Sequence, residues 1–162
     1  MRPPWLVEAT KYIGLKEIPG LKHEPLILQW WKAIRRGGIK TDEVPWCAAF
    51  VGAMLENVGV VSSRYESAKS YLTWGNRLAR PMYGCIVVFE RSGGGHVGFL
   101  AGYDESGRLL ILGGNQGNKV SIAPFAKERV VGYMWPKIVP QNLDKIPVFS
   151  GYNTTVGSIN EA

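Results

Sequence analysis

The apolar pattern changes its period along the chain. Up to residue 74 hydrophobic side chains recur at helical spacing; from residue 86 they fall into short β-branched runs divided by glycine turns. In residues 3–14, Trp5, Ala9 and Tyr12 share a face behind Pro3 and Pro4, and Gly14 stops the segment. Residues 25–36 carry Leu26, Leu28, Trp30, Trp31, Ala33 and Ile34 and end at Gly37 and Gly38. Residues 45–58 form the clearest helical stripe, with Cys47, Phe50, Val51, Met54, Leu55 and Val58, closed by Gly59. A short fourth helix is expected over 66–74. Strands are expected at 86–89, 97–103, 108–112, 119–123 and 129–135. Helices first and strands second predict an α+β domain, with N-terminal helices packed on a C-terminal antiparallel sheet.

At 162 residues the chain is about one domain. A chain of that size buries roughly 70% of its unfolded surface, so it needs no disulfide or metal staple. Its 46% hydrophobic and 20% charged residues exclude disorder. The longest strongly apolar stretch, 46–55, is too short to span a bilayer. The first ten residues do not read as a secretory signal. After Pro136 the pattern fades, which divides the chain into a domain over 1–136 and a tail over 137–162, laid over the surface or partly loose. Nineteen basic residues against 13 acidic give a net charge of +6, which draws a protein toward anionic surfaces. Lys32, Arg35, Arg36 and Lys40 cluster at an expected helix end, where a solvated face suits the helix dipole. Two cysteines, Cys47 and Cys85, make no disulfide framework and fit synthesis in a reducing compartment.

Cys47 follows Asp42, Glu43, Val44, Pro45 and Trp46. Pro45 fits the first helical turn, which puts Cys47 in that turn too. The positive end of the helix dipole there favours a nucleophilic thiolate. His96 follows a glycine loop and opens a strand, where a ligand can approach closely; His23 sits in a polar loop without a partner in view. Gly107 marks a hairpin turn. A two- or four-residue loop there sets His96 opposite Asn115, whose amide would fix the imidazole tautomer; a three-residue loop brings Gly114 or Gln116 there instead. A nucleophile, a base and an orienting group are the parts of covalent acyl transfer. Cys47, Cys85 and His96 lack the paired spacing of a zinc site, so no metal or other cofactor is expected. The glycines at 93–95 lack the context of a phosphate loop.

The order helix-cysteine, strand-histidine, strand-amide resembles the papain-like cysteine hydrolases of peptidoglycan, the CHAP and NlpC-type families, most closely single-domain phage endolysins. The resembling segments are residues 13–20, 42–51, 95–99, 113–118 and 132–136, including Pro45-Trp46-Cys47, Gly95-His96-Val97-Gly98 and Gly113-Gly114-Asn115-Gln116. The resemblance implies a papain-like fold, with Cys47 as nucleophile, His96 as general base and Asn115 as the residue that orients the histidine. Many CHAP enzymes carry a glutamate two residues before that asparagine, where this chain has Gly113. The family usually has Gly-Asp where this chain has Gly84-Cys85; Cys85 is read as a buried strand residue, not a bridge to Cys47. Asp42 and Glu43 are candidates for meeting an amine of the stem peptide, and Trp46 and Trp74 for lining the cleft. The implied substrate is bacterial peptidoglycan, cut in the stem peptide or at the N-acetylmuramoyl-L-alanine bond. The protein would be a monomer made in the host cytoplasm that acts on the wall in the periplasm, with electrostatic attraction to the anionic envelope and no nucleic-acid partner.

Two other classes compete. A peptidoglycan glycosidase needs two carboxyls about 5 to 10 Å apart, for which Glu8, Glu17, Asp42 and Glu43 are candidates. A non-enzymatic wall- or nucleic-acid-binding module is allowed by six tryptophans and the basic charge, but no binding motif supports it.

Overall fold

The computed structural model describes residues 2–18, 24–40, 45–91 and 94–151. Three helices come first: α1 (Pro4–Thr10), α2 (Pro25–Ala33) and α3 (Cys47–Asn57). A single 3-10 segment, Ala68–Thr73, stands where a fourth helix was expected. The strands are β1 (Asn76–Leu78), β2 (Ile86–Arg91), β3 (Gly94–Asp104), β4 (Leu109–Gly113), β5 (Ser121–Phe125), β6 (Val130–Trp135) and β7 (Val148–Phe149). They form one seven-stranded sheet in the order β1-β6-β2-β3-β4-β5, with β7 off that path beside β3. All pairings are antiparallel except β7 with β3. The expected α+β arrangement is the one observed. The short β1 and β7 carry too little pattern to be read from sequence.

Helix α3 is the centre of the molecule. Every residue from position 47 to 55 is buried, as expected of a helix that is apolar all round. Gly52 is required there: a Cβ would overlap the Ile34 side chain and crowd the Tyr71 hydroxyl at 3.2 Å. The N-terminal segment is pinned to the sheet by Trp5, whose indole N–H donates to the Gly84 carbonyl at 2.7 Å and whose ring meets Trp135 edge-on.

The β3–β4 hairpin sets the register of everything near His96. The Asp104 N–H donates to the Arg108 carbonyl, leaving a three-residue loop over 105–107 with Gly107 at φ +85°, the left-handed position of such a turn. Tyr103 therefore pairs with Leu109 and Gly102 with Leu110. A bulge at Ala101 then shifts the pairing by one, so that Leu100 faces Ile111 and Phe99 faces Leu112. The loop takes the three-residue branch, and the bulge restores the register of the other branch before the strands reach His96.

Residues 137–151 lie on the domain. Asn142 donates from its side-chain amide to the Tyr83 carbonyl at 3.3 Å. The Tyr103 N–H donates to the Pro147 carbonyl at 2.8 Å. Phe149 covers Gly102 so closely that a Cβ there would come within 2.7 Å of its ring.

Candidate active site

Cys47 is the first residue of α3, and Trp46 is its N-cap with φ −115°. The helix starts two residues later than Pro45 suggested. Trp46 gives α3 no side-chain cap; its indole N–H instead donates to Glu17 Oε1 at 3.1 Å. A buried indole needs such an acceptor, since an unsatisfied buried donor costs about 1–3 kcal/mol. Trp46 is fully buried and tilts on Trp30 at 5.9 Å. It packs in the core beside Cys47, where the sequence reading has it as a wall of a groove.

His96 sits near the start of β3, directly paired with Phe89 on β2, and is fully buried. Its ring stacks on Phe125 at 5.4 Å with an interplanar angle of 10°, and Phe125 stacks on Phe89 at 4.6 Å. The ring is thus held flat by aromatic neighbours, while its Nε2 lies 2.9 Å from Gln116 Oε1. The Gln116 amide has one orientation that satisfies its surroundings. Its Nε2 donates to the carbonyls of Ile111 and Ser121 at 3.1 and 2.9 Å, and to Ser121 Oγ at 3.2 Å. With the amide nitrogen facing three oxygens, Oε1 is the atom turned to the histidine, and it accepts from the imidazole Nε2–H. That tautomer leaves Nδ1 as the basic nitrogen.

The amide hydrogen-bonded to the imidazole is therefore that of Gln116, not that of Asn115. The chain leaves the extended conformation after Gly113, where β4 ends, and Asn115 adopts φ +59°, a left-handed conformation that asparagine tolerates. Asn115 is buried, and its Oδ1 has no hydrogen-bond partner among the described residues. The next side chain reaches back to the imidazole. The space that a Cβ on Gly113 would take is occupied by the Gln116 carboxamide oxygen, and that Cβ would also lie 3.4 Å from His96 Nε2. A side chain at position 113 and the Gln116 contact exclude each other.

The same glycine pair joins the two halves of the site. A Cβ on Gly114 would fall 2.6 Å from Phe50 Cβ and 2.7 Å from the Trp46 ring. One residue therefore touches the surroundings of His96, and the next touches the first turn of α3 around Cys47. Cys47 is only 4% exposed. No disulfide joins Cys47 and Cys85; Cys85 is fully buried, and burial pushes its thiol up to about 12.

The other sequence candidates divide. Asp42 and Glu43 lie outside the described residues. Trp74 donates from its indole to the Val61 carbonyl at 3.0 Å and lines a cavity of about 380 Å³ with Val60, Thr73 and Pro136. Neither Cys47, His96 nor Gln116 is among the residues that line it. Glu8 accepts from Lys11 and from Asn57, the last residue of α3, at 2.8 and 3.0 Å, whereas Glu17 meets Trp46 before the first. Among the described residues no group of three or more His, Cys, Asp or Glu side chains is arranged to hold a metal ion, and no helix is long and apolar enough to cross a membrane.

The CHAP domain family model matches residues 39–115. The CHAP segment contains Cys47, His96 and the Gly113–Gly114 step, and stops one residue short of Gln116. The fold is also similar to the crystal structure of the P60 domain from an antigen of M. avium subspecies paratuberculosis, with a TM-score of 0.51 at 15% identity, over 85% of this chain and 94% of that one. At that identity the likeness is one of fold, and it bears out the papain-like α+β expectation. No curated protein matches the sequence.

Proposed function

We propose that the protein is a cysteine-dependent amide hydrolase of bacterial peptidoglycan. The carrying observation is the Gln116–His96 contact at 2.9 Å, across the Gly113–Gly114 step from Cys47 at the head of α3. The match of residues 39–115 to the CHAP domain supports the substrate class. In this reading His96 Nδ1 takes the Cys47 proton, and the thiolate attacks the amide carbonyl carbon. N–H groups of the first turn of α3 stabilise the oxyanion. The C–N bond breaks as His96 returns the proton to the leaving amine, and water, activated by the same histidine, hydrolyses the thioester. Gln116 holds the ring in the tautomer that this sequence of transfers requires.

The bond cut is in the stem peptide or between the lactyl group of muramic acid and L-alanine. The biological role is that of a phage endolysin: made as a monomer in the host cytoplasm, acting in the periplasm, and helped toward the anionic wall by its +6 charge. Mass spectrometry of peptidoglycan digested by the wild type and by Cys47→Ala tests the proposal. New amino termini or free muramic acid carboxyls in the wild-type digest alone are expected. Reducing-end sugars as the new termini, or an active Cys47→Ala, would overturn it.

A further inference from the structure

We propose that Glu17 is a positioning residue of this site, tying the helix that carries Cys47 to the loop that carries Gln116. What it positions rests on the cysteine-hydrolase reading above; the tie itself does not. Cys47 and Gln116 belong to elements 69 positions apart in the chain (116 minus 47), and the loop over 114–120 belongs to no strand. Its order comes from the segment over 14–17. The Gly14 N–H donates to the Val120 carbonyl and the Val120 N–H to the Leu15 carbonyl, both at 2.8 Å. Lys16 and Lys119 form an antiparallel bridge, and the Glu17 N–H donates to the Asn118 carbonyl at 3.1 Å. Within the loop, the Gln116 N–H donates to the Lys119 carbonyl at 2.9 Å.

The side chain of Glu17 makes the second half of the tie. Its Oε1 accepts from the indole of Trp46, the residue before Cys47, at 3.1 Å. Trp46 is fully buried, and its ring presses on Gly114. One residue thus bonds through its backbone to the Gln116 loop and through its carboxylate to the N-cap of α3. Among the described residues no cation is paired with that carboxylate, so an ion pair does not account for it. Near-attack geometry is lost by displacements of about an ångström, and a half-buried hydrogen-bonded strut spanning the two arms opposes such displacements. The bond needs an acceptor at this position, not a charge, so glutamine should serve where alanine cannot.

The test uses the full chain with Glu17→Ala, Glu17→Gln, Trp46→Phe and the Glu17→Ala/Trp46→Phe double variant. Two readouts are taken: kcat and KM on a soluble muropeptide, and hydrogen exchange at the Gln116 amide. Glu17→Ala is expected to lower kcat by about ten- to a hundredfold with KM within about twofold, and to speed exchange at Gln116 by at least about tenfold. Glu17→Gln should restore both to within about threefold of wild type, and the double variant should be no worse than Trp46→Phe by more than about twofold. Glutamine as poor as alanine, or Trp46→Phe with both readouts at wild-type values, would overturn the proposal. If Glu17→Ala does not fold, the comparison of Glu17→Gln with Trp46→Phe decides by the same criteria. A wild type that hydrolyses no muropeptide would instead overturn the functional reading, and exchange at Gln116 then decides the tie alone.

Discussion

Gln116 Oε1 stands 2.9 Å from His96 Nε2 while Asn115, one residue earlier, turns its carboxamide oxygen into a buried space with no partner among the described residues. The two amides are adjacent in sequence and different in task. One is saturated by four polar contacts; the other sits in a left-handed turn.

Substitution should separate them. Gln116→Ala leaves the acid–base group in place but badly aimed, and is expected to lower kcat by about ten- to a thousand-fold, or about 1.4 to 4 kcal/mol of barrier. Asn115→Ala should stay within about threefold in kcat and instead lose about 1 kcal/mol of stability, because alanine resists positive φ. Asn115→Gly should restore the stability. Steady-state kinetics beside thermal melts of the three variants check this.

The two thiols should differ in reactivity. Iodoacetamide at pH 8 should label Cys47 and not Cys85, whose thiol is buried and pushed up to about 12. Peptide mapping after labelling reads the sites directly. Cys47→Ala should be inactive and folded, and Cys85→Ser active with a modest loss of stability from the buried hydroxyl.

Acid stability should depend on Glu56. Burial opposes ionisation of its carboxyl, but this is outweighed by hydrogen bonds from Arg64 and from the Ser62 N–H and hydroxyl, which together hold it below its ordinary 4.5. The folded form binds this proton more weakly than the unfolded form. The contribution is therefore present above about pH 4.5 and fades as pH falls through the lower folded value. Urea melts between pH 3 and 6 should show a steeper decline for wild type than for Glu56→Gln.

Removing the C-terminal strap should cost stability and little activity. A chain ending at Asp144 loses β7 and the partial cover of Phe149 over Gly102, worth about 1–2 kcal/mol by burial. Its Tm should fall by about 2–8 °C, with turnover of a small muropeptide within about twofold. A collapse of kcat would mean that the strap supports the site.

The helices and five of the strands were legible because their faces are buried and their periods clean: α3 is apolar all round, and glycines punctuate the chain from β2 to the start of β5. The places of Cys47 in the first turn of a helix and of His96 near the start of a strand were legible from the apolar pattern and the glycines around them. The amide that meets the imidazole was not. Choosing between Asn115 and Gln116 needed the length of the turn at Gly107, the bulge at Ala101 and the backbone angle at Asn115, none of which a period-2 pattern encodes. The setting of Trp46 was hidden for a related reason. A tryptophan beside a cysteine reads alike whether its ring faces solvent or core. Glu17 carried a signal, its place in a Gly-Pro-rich loop, but nothing in the sequence pairs it with an indole 29 positions away.

The three-residue loop and the Ala101 bulge are a compensated pair. Each offsets the phase that the other introduces, so the alignment of His96 with the Gln116 loop depends on their sum. Lineages of this domain should tolerate insertions or deletions in the β3–β4 hairpin only in matched events. A single-residue indel on either arm would leave the sheet foldable and the imidazole facing the wrong neighbour, an inactivating change that melting curves would not reveal.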